Sequence, residues 1–274
     1  MNGLVAEHAV TRSVRDSAGL LDATAGPDLG DPYYPPPPVR PFLKEVGTDP
    51  GNLRIAFTTT AASGVPIHAD CVRAVREAAE LCSDLGHDVN EAAPTFDAEL
   101  LGGSFAVVWM VGCAASLDGA ALLMQQEPTP DRFEELTWEL ARQGHALGGA
   151  AYLGAVNVLQ RIARQIARFF ASYDIWLTPT LAEPPLPLGS FDAPRGNPMY
   201  GYQRAVAFVP FTPVCNVTGQ PAMSVPLFWN AEGLPVGTHF VGRFGDEATL
   251  FRLASQLEAA RPWASRYPTN FSSD

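Results

Sequence analysis

A strand–helix–strand pattern between residues 53 and 89 restricts the fold of this chain more than any other feature of the sequence. Residues 53–58 alternate in polarity around a β-branched centre, as a strand does. Residues 69–85 repeat apolar side chains at helical spacing and end at Gly86, and residues 87–89 begin a second, weaker strand. A helix of this length between two strands is typical of a βαβ unit with parallel strands. The chain is therefore predicted to be an α/β protein.

Helices and strands also alternate through the rest of the chain. Apolar residues at helical spacing predict helices at residues 10–25, 97–124, 131–147, 150–172 and 246–260. Short apolar runs predict strands at residues 173–180, 222–227 and 236–241. Residues 27–52 are rich in Pro, Gly, Asp and Tyr, which favours an extended connector that lies on a surface. No internal repeat is present, so we expect a single domain over residues 1–274 with a Pro-rich connector at 27–52.

Some of these predictions concern helix ends and loops. Thr129 or Asp131 can cap the helix at 131–147 with its side-chain oxygen. Residues 97–124 fit either one long buried helix or a broken pair of helices. Residues 181–201 carry many Pro and Gly residues and are predicted to form a loop.

The chain is acidic, and its charge limits the partners that it can bind. The formal net charge is −11 and the arginines form no basic run, so nucleic acid is not an expected partner. The longest apolar stretch, residues 105–117, is too short to cross a bilayer and ends at Asp118, so no membrane contact is expected. Residues 1–8 have neither a basic region nor an apolar core, which argues against a signal peptide. We therefore expect a cytoplasmic protein.

The four cysteines lie far apart in the sequence and predict neither a zinc site nor a redox motif. Cys71 and Cys82 fall in one helical stretch among apolar neighbours, as small buried side chains do. The sequence contains no HExxH motif, no phosphate-binding glycine loop and no other cofactor motif. No metal ion and no cofactor are expected.

Three stretches, taken in their order along the chain, resemble one family of hydrolases. They are Thr11–Asp16 followed by Gly26-Pro27-Asp28, residues 173–180, and residues 210–226 continued by residues 233–242. The chain resembles the part of an amidase-signature enzyme that follows the signature itself, and the resemblance covers nearly all of its length. Within the family it is similar to bacterial amidases of the type that includes nylon-oligomer (cyclic-dimer) hydrolases.

This resemblance implies both a fold and a chemistry. The fold is a large α/β/α structure in which helices flank one mixed sheet. The reaction is the hydrolysis of a carboxamide through an acyl-enzyme. A serine in a Gly/Ser-rich stretch is the nucleophile, since a second serine and a lysine activate its hydroxyl. Backbone N–H groups of the same stretch bind the oxyanion.

The family's catalytic stretch has no counterpart in this sequence. In the family it precedes the helix that begins near Thr11, and here only ten residues precede that helix. The single lysine, Lys44, lies after the helix, within the connector. We therefore expect an incomplete amidase-signature fold that lacks the N-terminal part of its core. We also expect no catalytic residue in this chain and no activity of the chain alone.

No other residues form a replacement catalytic group by their spacing. Ser104 precedes an apolar run and fits a helix cap, and Ser224 falls in a strand predicted to be buried. His68 and His87 flank a predicted helix and fit solvated surface residues, whereas His239 fits neutral packing within a strand.

The chain can still supply part of a pocket wall. The residues that would contact a substrate are Trp109, Cys113, Cys215, Asn216, Thr218, Gly219 and Gln220. Polar groups in a buried loop need partners, so Asn216 and Thr218 either bind backbone groups of their own loop or face the substrate. Trp109 and Cys113 lie four residues apart on one helix face and either line an apolar acyl pocket or belong to the core.

Three functions fit this sequence. The first is the C-terminal portion of an amidase, which acts on a small-molecule amide once the missing part completes it. The second is a non-catalytic remnant that binds amides or a protein through an exposed sheet edge and helix face. The third is a fragment of the amidase-like subunit of a tRNA-dependent amidotransferase, which the acidic charge disfavours. Assembly into a homo-oligomer is left open.

Overall fold

The protein forms five strands and eight α-helices within residues 3–31 and 33–268, the part that this computed structural model describes. Pro32 of the predicted connector and both ends of the predicted domain lie outside these residues. The helices are α1 (Val14–Thr24), α2 (Ala69–Asp84), α3 (Ala98–Met124), α4 (Glu135–His145), α5 (Gly149–Phe169), α6 (Tyr200–Phe208), α7 (Pro213–Thr218) and α8 (Glu247–Ala260). The strands are β1 (Arg54–Phe57), β2 (Asp88–Glu91), β3 (Ile175–Pro179), β4 (Ala222–Trp229) and β5 (Pro235–Val241). The α/β prediction is confirmed.

The five strands form one open, mixed sheet. Their order is β2-β1-β3-β5-β4, which places β2 and β4 at the two edges. β1 pairs in parallel with β2 and with β3, whereas β5 is antiparallel to β3 and to β4. The parallel βαβ unit is therefore confirmed. The antiparallel β4–β5 hairpin makes the sheet mixed, as the resemblance implies.

Helices cover both faces of the sheet, because alternate side chains of each strand point to opposite sides. On one face, Ile55, Leu177 and Phe240 pack against α2 and α8. On the other face, Trp176 and Val241 pack against α3, α5 and α7. Every residue of β3 is buried, since this strand is paired on both sides and covered on both faces.

Several boundaries differ from the sequence predictions. Glu134, and not Thr129 or Asp131, occupies the N-cap position of α4, because residues 130–132 form a separate 3-10 turn. The loop predicted at 181–201 ends where α6 begins, and the sequence predicted no helix there. The buried loop expected around Asn216 and Thr218 is also partly wrong, since both residues lie in α7. Each of these helices is short and gives a weak periodic signal.

Helix α3 is one continuous helix of 27 residues and is less buried than predicted. It packs on α4 and α5, but Leu122, Leu123 and Met124 in its last turn are exposed. Among the described residues it is the one helix that is long and apolar enough to cross a membrane, by length and composition alone. The single long helix is therefore the correct alternative for residues 97–124, whereas the apolar stretch 105–117 covers only part of that helix.

The contact between α3 and α4 depends on Gly144. A Cβ atom at this position would overlap the backbone carbonyl of Met110 in α3. We therefore expect Gly144→Ala to lower the free energy of unfolding by about 1–3 kcal/mol, because the two helix backbones must separate. Chemical denaturation followed by circular dichroism measures this change.

Gly154→Ala in α5 is the matched control. A Cβ atom there meets nothing within 4 Å, so alanine is expected to stabilise the helix by about 0.5–1 kcal/mol. Equal effects of the two substitutions would contradict the close approach of α3 and α4.

The segments near the two ends of the described chain contact each other. α1 packs on α8, and the Trp263 indole N–H donates to the carbonyl of Arg12 over 3.1 Å. The Arg12 guanidinium donates to the carbonyl of Ala264 and lies 4.0 Å from the ring centroid of Tyr267. Residues more than 250 positions apart in the sequence therefore contact each other and hold the segment before α1 against the segment after α8.

The Pro-rich connector is fixed to α8 by a buried carboxylate. Glu45 is 1% exposed and accepts hydrogen bonds from Arg40 at 2.6 Å and from Arg252 of α8 at 2.5 Å. The two guanidinium groups lower the pKa of Glu45 to about 2. The connector lies on the surface as predicted, and this ion-pair cluster gives it one defined position.

Candidate functional site

Four polar side chains lie together where β3, β4 and β5 adjoin, on the face that packs against α7. They are Thr178, Thr180, Ser224 and His239, which we call the polar row. Thr178 pairs across the sheet with His239, and His239 pairs with Ser224, so their side chains point to the same face. Thr178 and His239 are buried, whereas Ser224 is exposed. The row therefore extends from the core to the surface.

Hydrogen bonds hold the buried half of the polar row in a neutral state. Thr178 donates its hydroxyl proton to the carbonyl of Pro179 at 2.9 Å, so it accepts from His239 Nδ1 at 3.0 Å. This arrangement leaves Nε2 of His239 unprotonated, 3.9 Å from the Cys215 sulfur. Burial lowers the pKa of His239 to about 4 and raises the pKa of Cys215 to about 12. A thiol that stays protonated is neither a nucleophile nor a metal ligand.

The exposed half of the polar row is a pair of hydroxyl groups. The Oγ1 atom of Thr180 and the Oγ atom of Ser224 lie 2.8 Å apart. They approach across Gly237 of β5, where a Cβ atom would collide with both side chains. Each hydroxyl can donate and accept, so the pair can bind an amide group. Among the described residues, Thr180 is the one side chain that bonds to Ser224, and it provides no general base.

The predicted pocket residues in and after α7 mostly bond within the protein. Asn216 donates to the carbonyl of Leu4 at 2.7 Å, and Thr218 donates to the carbonyl of Val214 at 2.9 Å. Gln220 donates to the carbonyl of Gly242 at 2.8 Å, while its buried side-chain oxygen has no partner among the described residues. These contacts favour the structural role of Asn216 and Thr218, although Asn216 binds the N-terminal segment and not its own loop.

Gly219 ends α7 in the left-handed region, with a φ of 69°. A Cβ atom there would lie 3.0 Å from the ring of Phe244. The glycine therefore allows the chain to turn from α7 directly into β4. This turn places Cys215 beside His239.

The two predicted pocket residues of α3 lie in different surroundings. Trp109 stacks on Phe105 with ring centroids 5.8 Å apart, whereas Cys113 packs between α3 and α4 near Ala141. A groove of about 510 Å³ lies nearer the start of α3. Its lining residues are Asp97, Glu99, Leu100, Gly103, Ser104, Val107, Ala151, Ala155 and Val158. The structure therefore does not bring Trp109 or Cys113 into this groove.

Three assignments of polar residues from the sequence were wrong. Asp97 caps α3, and Ser104 lies inside the helix, where it is buried. Ser224 is exposed, whereas its neighbour Val225 in β4 points to the other face of the sheet and is buried. His87 is buried, since it accepts from the N–H of Leu53 and donates to Gln256 of α8 at 2.9 Å. Each error concerns a residue whose burial depends on a distant element.

Metal-binding groups and free thiols are two further kinds of possible reactive group. Within the described residues, no group of three or more His, Cys, Asp or Glu side chains could hold a metal ion. Cys71 and Cys82 are buried and free in α2, as predicted, and burial raises the pKa of each to about 12.

Lys44 lies on the other side of the sheet from the polar row. It ends a short 3-10 turn in which the ring of Phe42 contacts the ring of Phe251 in α8, with centroids 5.6 Å apart. α8 covers the face of the sheet opposite to α7. The sheet therefore lies between the turn that carries Lys44 and the hydroxyl pair.

Comparison with known proteins identifies similar sequences and folds. The family model described as Amidase matches residues 3–251. The 6-aminohexanoate-cyclic-dimer hydrolase of Paenarthrobacter ureafaciens is 32% identical over 278 residues, which cover 97% of this chain and 56% of that protein. A solved structure of 6-aminohexanoate cyclic dimer hydrolase superposes with a TM-score of 0.86 at 31% identity, over 94% of this chain and 55% of that one.

A more distant similarity concerns the fold alone. A glutamyl-tRNA(Gln) amidotransferase subunit from Thermotoga maritima superposes with a TM-score of 0.63 at 22% identity, over 94% of this chain and 54% of that one. The chain thus spans about half the length of the relatives that it matches.

Proposed function

Because this chain belongs to the amidase family, we propose that it forms the C-terminal part of a carboxamide hydrolase and takes its catalytic serines and lysine from polypeptide outside these 274 residues. The family match over residues 3–251 supports amide hydrolysis as the reaction. The share of the relatives that the chain spans, 56% for the Paenarthrobacter hydrolase, supports a division of the active site between two parts.

The position of Lys44 is the observation that carries this proposal. A serine hydroxyl attacks an amide only when a neighbouring base accepts its proton. Lys44 is the one lysine of the chain, and the sheet lies between the turn that carries it and the hydroxyl pair of Thr180 and Ser224. His239 is bonded to Thr178 and buried, so it is not available to Ser224 as a base. The hydroxyl pair therefore lacks a base from within the described chain.

In this proposal the chain supplies a wall of the substrate pocket. The hydroxyl pair offers two groups that can bind a carboxamide, and Cys215 lies beside His239 of the polar row. The buried side-chain oxygen of Gln220 has no partner among the described residues. Trp109 and Cys113 remain predicted pocket residues on α3. The name of the related hydrolase makes the cyclic dimer of 6-aminohexanoate the first substrate to test.

The test compares the chain alone with the chain co-expressed with the portion of the Paenarthrobacter hydrolase that it does not match. The released amine is measured by liquid chromatography after incubation with the cyclic dimer and with an aryl amide. We expect the chain alone to give only the uncatalysed rate, because no described base activates a serine. We expect the co-expressed pair to hydrolyse at least one of the amides.

Ser224→Ala distinguishes the outcomes. Turnover by the purified chain alone that Ser224→Ala abolishes would place the nucleophile in this chain and overturn the proposal. Turnover by the pair that survives Ser224→Ala with a raised KM would agree with a binding role for the hydroxyl pair, since only one hydrogen bond to the substrate is lost.

The other functions predicted from the sequence remain predictions. Similarity to the amidotransferase subunit extends to the fold alone, and no specific contact favours a tRNA-dependent role or a non-catalytic binding role. Cytoplasmic location and assembly into a homo-oligomer also remain predictions from the sequence.

A further inference from the structure

A groove of about 510 Å³ lies between the N-terminal halves of α3 and α5, and the residues of the polar row do not line it. Leu100, Val107 and Val158 give the groove apolar walls, and Gly103 leaves open space on the α3 side. Ligand pockets of proteins have volumes of about 300–1,000 Å³ and mostly apolar linings. The groove is therefore large enough for a small organic molecule.

Ser104 supplies a polar group to the wall of this groove. The residue is 7% exposed, yet its hydroxyl forms no hydrogen bond with any other described residue. Ser116, on the same helix, instead donates to the carbonyl of Gly112 at 2.9 Å. Buried polar groups nearly always have a partner, so an unbonded hydroxyl in a groove wall indicates a hydrogen-bonding group of a ligand.

Two carboxylates lie at the end of the groove where α3 begins. Asp97 accepts a hydrogen bond from the N–H of Leu100 at 2.8 Å through one oxygen, so its second oxygen takes no part in this cap. Asp97 and Glu99 form no ion pair within the described part of the chain, and the groove lining includes no basic side chain. The net charge of −11 also favours a cation at this end.

The carboxylates and the hydroxyl are spaced along one helix. Asp97 and Ser104 are two helical turns apart, a distance of about 10 Å along α3, and both line the groove. A ligand that contacts both residues therefore carries two polar groups joined by an apolar chain. An alkyl chain of about six carbons spans this distance once a hydrogen bond is added at each end.

We propose that the groove binds an aliphatic ammonium compound that carries a second hydrogen-bonding group at the other end of its alkyl chain. The ammonium group donates to the carboxylates of Asp97 and Glu99, and the second group bonds to the Ser104 hydroxyl. The alkyl chain packs against Val107 and Val158. This inference stands independently of the proposed function, since it uses neither the polar row nor any polypeptide outside this chain.

Methyl NMR of the full chain, labelled at leucine and valine, tests the proposal with 6-amino-1-hexanol. We expect its titration to shift the methyl signals of Leu100, Val107 and Val158 in a saturable way. The compound 1-hexanol lacks the ammonium group and n-hexylammonium lacks the hydroxyl, so each is expected to bind about fivefold more weakly. Absence of saturable shifts at these methyl groups, or equal binding of the three compounds, would overturn the proposal.

Two adjacent glycines of α3 provide matched variants that block or spare the groove. Gly103 lines the groove and Gly102 does not, and a Cβ atom at either position meets nothing within 4 Å. We expect Gly103→Leu to weaken binding of 6-amino-1-hexanol at least about tenfold, because the new side chain occupies space that the ligand needs. Gly102→Leu is expected to bind as the wild type does. Equal affinities of the two variants, once circular dichroism shows that both fold, would contradict binding in the groove.

Asp97→Asn removes a charge but keeps the cap of α3, because asparagine caps helices as well as aspartate does. Combined with Glu99→Gln, it is expected to weaken binding of 6-amino-1-hexanol about tenfold and to leave binding of 1-hexanol unchanged. Asp246→Asn, at the N-cap of α8, is the control and should bind as the wild type does. If the double variant keeps the wild-type affinity, the carboxylates do not bind the ammonium group and the proposal fails.

Ser104→Ala separates the hydroxyl contact from the charge contact. We expect this variant to bind 6-amino-1-hexanol about fivefold more weakly and n-hexylammonium as the wild type does, since only one hydrogen bond is lost. A loss of the same size for both compounds would contradict the Ser104 contact, because it would come from a general change in α3.

Discussion

Replacing Glu45 with alanine is expected to lower the free energy of unfolding by about 2–3 kcal/mol, because charge-assisted hydrogen bonds from two arginines are lost. The Glu45 carboxylate is buried and accepts hydrogen bonds from Arg40 and Arg252. Alanine leaves two guanidinium groups without their shared anion and releases the connector from α8. Chemical denaturation at pH 7 measures the change.

Glu139→Ala in α4 is the matched control. Glu139 also binds one arginine through both of its carboxylate oxygens, but the Arg142 partner is 64% exposed. Exposed pairs of this kind contribute only about 0–1 kcal/mol. If the two substitutions had equal effects, the Glu45 cluster would be no more than a surface ion pair.

The pH dependence of the Glu45 contribution has a defined sign. Its pKa falls from the ordinary value of 4.5 to about 2 on folding. The unfolded chain therefore binds the proton first as pH falls, and the stabilisation is lost between pH 4.5 and 2. The stability difference between the wild type and Glu45→Ala is expected to shrink over that range.

Acidification from pH 7 to pH 4 is expected to cost the wild type about 3 kcal/mol more than it costs His239→Asn. His239 is fully buried, and desolvation lowers its pKa from 6.5 to about 4. Between these two values the unfolded chain binds a proton and the folded protein does not, so stability falls with pH. The asparagine amide does not titrate but can still donate to Thr178.

Denaturation curves at half-unit intervals from pH 7 to pH 4 measure the His239 contribution. The difference in stability between the wild type and the variant should be constant above about pH 6.5 and decrease below it. A difference that stays constant down to pH 4 would show that His239 titrates equally in the folded and unfolded states, which contradicts its burial.

The sequence predicts the helices and strands of this fold better than it predicts the burial of individual residues. The helices α2, α5 and α8 follow from local periodicity, because each buries one face against the sheet, whereas β3 follows from a short, continuous apolar run. The burial of a single residue depends on residues that are distant in the sequence. His87 has the local sequence of a surface residue, but in the fold its side chain bonds to Gln256 of α8.

The polar row shows why the site is harder to predict than the fold. The position of Cys215 along the chain predicts a pocket residue, whereas Thr178 and Thr180 are marked locally only by a Thr-Pro-Thr sequence at the end of an apolar strand. They meet Ser224 and His239 only through the strand order and the register of the antiparallel pairs. Periodicity gives the face of a residue within one strand, but it does not say which strand lies next to it. The Thr178-Pro-Thr180 sequence at a strand end was the one local signal available.

The contact between α1 and α8 has a consequence for the way this chain folds during synthesis. Arg12 emerges from the ribosome early, whereas Trp263 and Tyr267, its partners, emerge more than 250 residues later. Such a high contact order makes folding slow, since a very long loop must close before the contact forms. Until then α1 packs on the nearby 3-10 turn at Phe42–Lys44 but lacks its contact with α8, and the uncharged strand β4 emerges before α8 covers its inner face. Chaperone dependence of the nascent chain should therefore persist until the last helix has left the exit tunnel.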